Sequence, residues 1–587
     1  MAMPRHLVFF DTETHMTVKD DGTVEHRLRL GWAVYLRRPY GRHKEIEEWF
    51  TFTAASEFWE WLFSRCTSKV KLWCIARNVG FDFTVCEGWK YLKQSGYKLK
   101  FFYASGVTNI ISVFSSQSSL VFLDSMNWFV ESLEKTGERI GVPKMKVDFA
   151  TVKDPELSQY CRNDVLIELE NFRLFIRFLE ENRVSRLCYT RGSTAMAAYL
   201  FRHMHVPIFI HNNREAIDLE REAYKGGRVE CFRIGKLTDG PYTVVDVNSL
   251  YPFVMHGNNY PCKYVRKERY PTIAEFADFL DEYAVVARVK VHTDEPAYAV
   301  RGQRTFFPVG TFWTSLCSPE LRYALEHGHI VSVDKCFLYE QAELFTDFVD
   351  RFYGMRLQFK KDGNAEYVAM CKYILNSLYG KFGQKAEEWT KIADCPDEPD
   401  RYEYLIRADK PGCGTIRYLM GQCFELTRFG ESYDSFPAIA AHVTAYGRMR
   451  LWELMQLAGV GNYFYCDTDS LIVNSKGLRR LRREMSPTVL GKLKAEEVTP
   501  WLEIHGLKDY ATGQKVVTKG IRKNAEELSE GVYRQDRWPT LQGMLRSGKG
   551  DVYRVTKTIK HLSRLYEKGT VMLDGSVTPF RLDVDKE

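Results

Sequence analysis

Apolar residues in this chain gather into short runs, and several of those runs end in carboxylates. In YFYCDTDSLIV, residues 463–473, two such runs flank Asp-Thr-Asp-Ser. That pattern predicts two short buried strands joined by a tight hairpin turn that carries Asp467 and Asp469. HLVFFDTETH reads the same way, as a strand ending in Asp11 and Glu13, one residue apart and on one face of an extended chain. LWCIARNVGFDF is an apolar run followed by Asn78 and Asp82. In SQYCRNDVLIELENF the spacing is helical and sets Tyr160 and Asp164 four residues apart on one face. PYTVVDVNSLYPFVM brings Asp246 after a β-rich run. CKYILNSLYGKFG predicts a helix with Lys372, Asn376, Tyr379 and Gly380 along one face before a glycine stop.

The length, 587 residues, exceeds one ordinary core and predicts three or more compact units, which the 45% hydrophobic content can fill. The net charge of +6 is unevenly placed. Residues 474–587 hold 23 Lys and Arg against 15 Asp and Glu, while the first 473 residues are slightly acidic. The C-terminal segment is therefore the expected footprint for a polyanion. Fourteen scattered cysteines without a CxxC pair argue against a zinc ribbon or a disulfide framework. The N-terminal apolar run is too short for a signal peptide, and no stretch approaches eighteen uninterrupted apolar residues. A soluble, intracellular, monomeric protein without a membrane partner is expected, cytoplasmic and acting in a host cell if a virus or mobile element encodes it.

Two acids one residue apart repel each other, and a hard divalent cation such as Mg2+ or Mn2+ removes the conflict by taking oxygen ligands. The order and spacing of DTET, NVGFD and YCRND resemble the three motifs of the DEDDy 3′-5′ exonucleases. The resemblance implies an RNase H-like domain in which Asp11, Glu13, Asp82 and Asp164 bind two metal ions and Tyr160 positions the attacking water. It also implies that Thr14, Asn78 and Phe81 hold a single-stranded 3′ end. Ser125 or Ser132 would add contacts, and Lys146 would be the active-site lysine.

Asp246 in DVNSLYP, the helix NSLYGKFG and YCDTDS resemble, in order, motifs A, B and C of the family B DNA polymerases. This implies a right hand of palm, fingers and thumb behind the exonuclease. Asp246 and Asp469 would be the principal ligands of a second pair of Mg2+ or Mn2+ ions, the Val247 carbonyl would complete the site, and Asp467 would support it. Lys372 and Lys360, or Lys361 in its place, would meet the triphosphate of an incoming dNTP. Asn376 and Tyr379 would form the nucleotide pocket, and Tyr251 would exclude a ribose 2′-hydroxyl.

YKGG, with Tyr224, Gly226 and Gly227, resembles the YxGG motif of the protein-primed branch, the group that contains the phage phi29 polymerase. In that branch the motif touches the template backbone. Lys508 and Tyr510 match its KxY motif, which holds the primer. The resemblance divides the chain into an exonuclease domain (1–185), a linker with the first part of the palm (186–257), a first terminal-protein-region insertion (258–344) and fingers (345–383). A second insertion (384–435), the second part of the palm (436–485) and a thumb with the C-terminal region (486–587) follow. Within the second insertion, residues 395–414 predict a β-hairpin or loop excursion. The class is α/β and α+β, multidomain. The partners implied are template and primer DNA, dNTPs and a terminal protein whose hydroxyl starts synthesis with strand displacement. Two other readings remain: a family B polymerase that uses nucleic-acid primers or none, and a nucleic-acid-binding scaffold with inactive sites.

Overall fold

The computed structural model describes residues 3–68, 70–406, 413–548, 550 and 552–584. Its N-terminal apolar run becomes the strand His6–Val18, in which Leu7, Val8 and Phe9 are fully buried. This strand pairs antiparallel with Val24–Arg37 and parallel with Lys71–Ala76. Ile46–Phe52 extends the antiparallel side, and Ser119–Asp124 the parallel side. The 28-residue helix Asp154–Glu181 lies across the sheet and sets Phe172 against Phe9, ring centres 5.4 Å apart. Truncating such a buried ring to alanine costs about 3–5 kcal/mol, so this packing fixes where the helix presents its polar residues.

A second sheet follows the order Leu493–Thr499, Tyr242–Val247, Ser470–Asn474, Tyr463–Asp467, Val229–Cys231. The helix Pro437–Ala458 runs through the middle of the molecule and is buried on nearly all faces, as its apolar residues on every side require. Its one buried guanidinium, Arg448, is satisfied by Glu320 Oε1, at 3.0 Å from Nε and 2.8 Å from Nη2.

Two further sheets interrupt this core. Asn259–Arg269, Ala284–Thr293, Val309–Cys317 and Ile330–Glu343 form one, with the short C-terminal strand Arg581–Asp583 added parallel to Val309–Thr311. Lys385–Asp394, Arg401–Ile406, Cys413–Leu419 and Gln422–Glu431 form the other. The excursion expected at 395–414 is thus built into a four-stranded sheet, and its 407–412 portion lies outside the described residues. This sheet docks on the N-terminal module: Leu99 N donates to Gln422 Oε1 at 2.8 Å, and Leu419, Met420 and Phe424 enter the module's core.

The chain differs from expectation in two places. The helix ahead of the glycine stop is not continuous. It ends at Leu375, and a separate short helix, Tyr379–Phe382, contains Gly380. Ser377 Oγ donates to the Tyr373 carbonyl at 2.5 Å, a back-bond that competes with the helix ladder. Residues 486–587 also do not form one body. Leu493–Thr499 is an edge strand of the second sheet, while Tyr553–His561 pairs with Val24–His26 and continues the N-terminal sheet. Among the described residues no helix is long and apolar enough to cross a membrane.

Candidate active sites

The carboxylates singled out in the sequence gather at two centres on different sheets. At the first, Asp11 and Glu13 leave His6–Val18 just before a β-bulge at Glu13/Thr14, which re-aims the strand. The helix Val79–Val85 turns Asp82 inward, where its Oδ1 accepts from Thr12 N at 3.0 Å and from Thr12 Oγ1 at 2.7 Å. The helix Asp154–Glu181 brings Tyr160 and Asp164. Asp164 Oδ2 is ion-paired with Lys144, and its Oδ1 is buried without a hydrogen-bond partner. Lys144 Nζ also lies 4.3 Å from the centre of the Tyr160 ring.

Burial and mutual repulsion dominate the electrostatics here. Burial, then Asp82, Asp164 and Glu13, lift Asp11 well above the usual carboxylate range. Glu13 is pushed up to about 7 by burial and Asp164, and Asp82 to about 8 by burial. Burial followed by Asp164 raises the Tyr160 hydroxyl as well. Several buried acids around an unpartnered oxygen form a donor set that suits a hard divalent cation, so these residues fit Mg2+ or Mn2+.

At the second centre the hairpin Tyr463–Asp467/Ser470–Asn474 lays its second strand against Tyr242–Val247, with Asp246 opposite Ser470. Val247 N donates to the Asp469 carbonyl at 2.7 Å and ties the turn to the neighbouring strand. Thr468 takes a left-handed conformation, φ 61°, and its N donates to the Arg228 carbonyl at 2.7 Å. Burial, then Asp469 and Glu496, push Asp246 up to about 7, while Lys372 and Lys494 pull the other way. Asp469 is raised by burial and by Asp467, opposed by Lys372 and Lys508. The all-oxygen donor set again fits a hard divalent cation.

The family described as DNA polymerase type B, organellar and viral, matches residues 144–408. A probable DNA polymerase of Neurospora intermedia is 26% identical over 362 residues, 58% of this chain and 36% of the relative. The chain thus spans little more than a third of that relative. The DNA polymerase of Bacillus phage phi29 is 23% identical over 525 residues, 80% of each chain. A structure of phi29 DNA polymerase complexed with primer-template DNA and incoming nucleotide substrates superposes with a TM-score of 0.68 at 17% identity, covering 95% of this chain and all of the other. In sequence this chain is similar to family B DNA polymerases, and its fold is that of the phi29 enzyme.

In the terms of that fold, the second centre lies on the palm sheet, and the structure clusters several of the matched residues around it. Tyr251 and Tyr379 pack with ring centres 4.5 Å apart. A Cβ on Gly447 would lie 3.4 Å from the Tyr251 ring, so the helix Pro437–Ala458 backs it closely. Tyr379 and Asn376 also line a cleft of about 820 Å3, but it opens toward Phe101 and Tyr189 of the N-terminal part and none of the acids of the second centre lines it. Lys360 lines another, of about 340 Å3, with Asn248 and Arg356, and Lys361 does not. Gly227 packs on the hairpin tip, where a Cβ would meet Thr468 Cγ2 at 2.8 Å. The Gly226 carbonyl accepts from Arg448 at 2.6 Å, and the Tyr224 ring lies against Gly383. Lys508 and Tyr510 both reach the hairpin: Lys508 N donates to the Tyr465 hydroxyl at 3.0 Å, and the Tyr465 and Tyr510 rings are 5.1 Å apart.

At the N-terminal centre, Thr14 Oγ1 bonds His26 Nδ1 at 2.9 Å, and Phe81 meets His26 and Tyr553 edge-on. Asn78, at φ 59°, donates its N–H to Asp124 Oδ1. The lysine here is Lys144, whereas Lys146 is 84% exposed and pairs with Glu134. Of the two serines proposed for extra contacts, Ser125 is already committed and Ser132 is exposed. Ser125 is buried and donates to Glu168, while Ser132 caps the helix Leu133–Ile140. Sequence reasoning missed His26 and Tyr553, which come from distant parts of the chain, and Lys494 and Glu496 on the palm's edge strand. Only the alternation of LKAEEV hinted at the last two.

Proposed function

We propose that this chain is a DNA-directed DNA polymerase with a 3′-5′ proofreading exonuclease, and that it replicates DNA from a protein primer with strand displacement. The observation that carries the reading is the presence of two carboxylate centres on separate sheets, each with a lysine paired to one of its acids: Lys144 with Asp164, and Lys508 with Asp467. Nucleotidyl transfer and phosphodiester hydrolysis both develop charge on phosphoryl oxygens, and both are served by such sets. The domain boundaries expected from the sequence stand as part of the proposal, except that Leu493–Thr499 goes to the palm.

Two divalent ions at each centre, Mg2+ or Mn2+, would supply Lewis acidity and charge neutralisation. In the palm, Asp246, the Val247 carbonyl and Asp469 hold them, with Asp467 in support. Lys372 and Lys360 bind the triphosphate of the dNTP, Asn376 and Tyr379 shape its pocket, and Tyr251 closes the space a 2′-hydroxyl needs. Tyr224, Gly226, Gly227, Lys508 and Tyr510 bind template and primer. In the exonuclease, Asp11, Glu13, Asp82 and Asp164 hold the ions, Tyr160 orients water, and Thr14, Asn78 and Phe81 hold the 3′ end. The two inserted sheets, at 259–343 and 385–431, are the docking surfaces for a terminal protein and for the downstream strand.

The test separates the centres. Asp469→Ala is expected to abolish primer extension and leave degradation of single strands, and Asp11→Ala with Glu13→Ala to do the reverse. Loss of both activities in either folded variant overturns the assignment. Protein priming is tested by covalent labelling of a co-encoded partner with a radioactive dNTP. If no partner takes label while primed templates are copied, the reading becomes that of a polymerase using nucleic-acid primers.

A further inference from the structure

The helix Asp154–Glu181 presents one more potential ligand at the N-terminal centre besides Asp164. Cys161 is fully buried, and its Sγ lies 3.4 Å from the Asp11 carbonyl and 3.5 Å from Asp11 Oδ2. Ligand atoms of Asp11, Glu13 and Cys161 all lie within 4.8 Å of one another, and among the described residues no other three His, Cys, Asp or Glu side chains do so. Independently, Asp164 stands one helical turn on from Cys161, is 6% exposed, and leaves Oδ1 without a partner.

We infer that Cys161, Asp11 and Glu13 form a thiophilic metal site that binds a soft or borderline divalent ion, Zn2+ or Cd2+, in the exonuclease centre. Zinc–sulfur and zinc–oxygen bonds of about 2.3 and 2.0 Å at a tetrahedral angle put the two ligand atoms roughly 3.5 Å apart. The observed separation of Sγ and Asp11 Oδ2 matches that edge without movement. Glu13 supplies a third ligand, and solvent completes the coordination. When the metal–sulfur bond forms, the thiol proton passes to solvent. Mg2+ and Mn2+ favour oxygen and gain little from sulfur, so the thiol discriminates between metals. The palm centre offers only oxygens from Asp246, Asp467 and Asp469. A thiophilic ion is therefore held more tightly at the centre that degrades DNA than at the one that extends it. The functional consequence rests on the exonuclease reading given above, whereas the metal site does not.

The experiment uses the full-length, metal-free protein and CdCl2 as probe. Its readout is the ultraviolet cadmium–thiolate charge-transfer band, taken as the difference between wild type and Cys161→Ser so that the remaining cysteines cancel. Cys161→Ala serves as a second variant, and circular dichroism and melting confirm that each is folded. The expected result is a saturable difference band of one thiolate per chain, with Cd2+ binding weakened about tenfold or more in both variants. Identical titrations for wild type and folded variants overturn the site. In parallel, Cd2+ is expected to inhibit Mg2+-supported degradation of single strands at about tenfold lower concentration in wild type than in Cys161→Ser. A band without any degradation in Mg2+ overturns the exonuclease reading and leaves the metal site standing.

Discussion

Lys508 Nζ lies 3.3 Å from Asp467 Oδ2, so a residue of the C-terminal basic segment touches the acid at the tip of the palm hairpin. Lys508 itself is at φ 57°, a left-handed position held by the bond from its N–H to the Tyr465 hydroxyl. The pair is half exposed, and such pairs add less than about 1 kcal/mol to stability. Its value lies in placing an ammonium beside the acids of the hairpin tip, with protons left over for a phosphate. Lys508→Ala is expected to leave the melting temperature nearly unchanged and to weaken primer-template binding several-fold, with a shallower salt dependence. Gel-shift titrations at two salt concentrations check this, and unchanged affinity contradicts it.

Sugar selection is expected to depend on Tyr251. Its ring is clamped between Tyr379 and the close-packed Gly447, so it cannot move aside for a larger sugar. Tyr251→Val opens that space without touching a carboxylate. The preference for dGTP over GTP should fall by roughly tenfold or more, read as the ratio of kcat/KM values in single-nucleotide extension. An unchanged ratio places the gate elsewhere.

Gly227 has no room for a side chain. A Cβ there would press on Thr468 at 2.8 Å, and Thr468 is already left-handed, so the strain would pass to Asp469 next to it. Gly227→Ala is expected to cost about 1–3 kcal/mol of stability and to reduce extension much more than degradation. Rates of the two reactions measured on one preparation of the variant give the ratio that decides it.

These sites were legible in the sequence to the extent that local pattern carries them. Asp11 with Glu13, and Asp467 with Asp469, stand out because one-residue spacing on a buried strand puts like charges together, and Tyr160 with Asp164 because four residues make one helical turn. The rest depends on distant parts of the chain. Lys144 and Lys146 lie in a segment without helix or strand periodicity, so nothing local says which one turns inward. Tyr553 reaches Phe81 only because a strand more than 500 residues beyond His26 joins the N-terminal sheet opposite it. Glu496 looks like a surface acid until Lys494 is paired with Asp246 across the palm. Cys161 reads as an ordinary core residue, since a buried cysteine usually is one.

The raised acids predict how stability responds to pH and to metal. Glu13 and Asp246 are pushed up to about 7, Asp82 to about 8, and Asp11 well above its usual range, chiefly by burial and then by neighbouring acids. Each is protonated more readily in the folded chain than in the unfolded one. The stability this contributes is complete below the ordinary carboxylate range and is lost as pH rises through about 8, because ionising the folded site then means burying repelling charges. The loss is on the order of a few kcal/mol, since one pKa unit corresponds to about 1.4 kcal/mol. Metal-free protein should therefore melt progressively lower between about pH 5 and about pH 8. Added Mg2+ should flatten the slope by binding the ionised acids. Asp82→Asn keeps an oxygen to accept from Thr12 but cannot ionise, so it should be more stable than wild type at about pH 8 without metal and gain less from Mg2+. Differential scanning calorimetry across that range, with and without Mg2+, measures all three. A metal-free melting temperature that rises toward pH 8, or an Asp82→Asn variant that melts below wild type there, contradicts the account of buried, cation-requiring carboxylates.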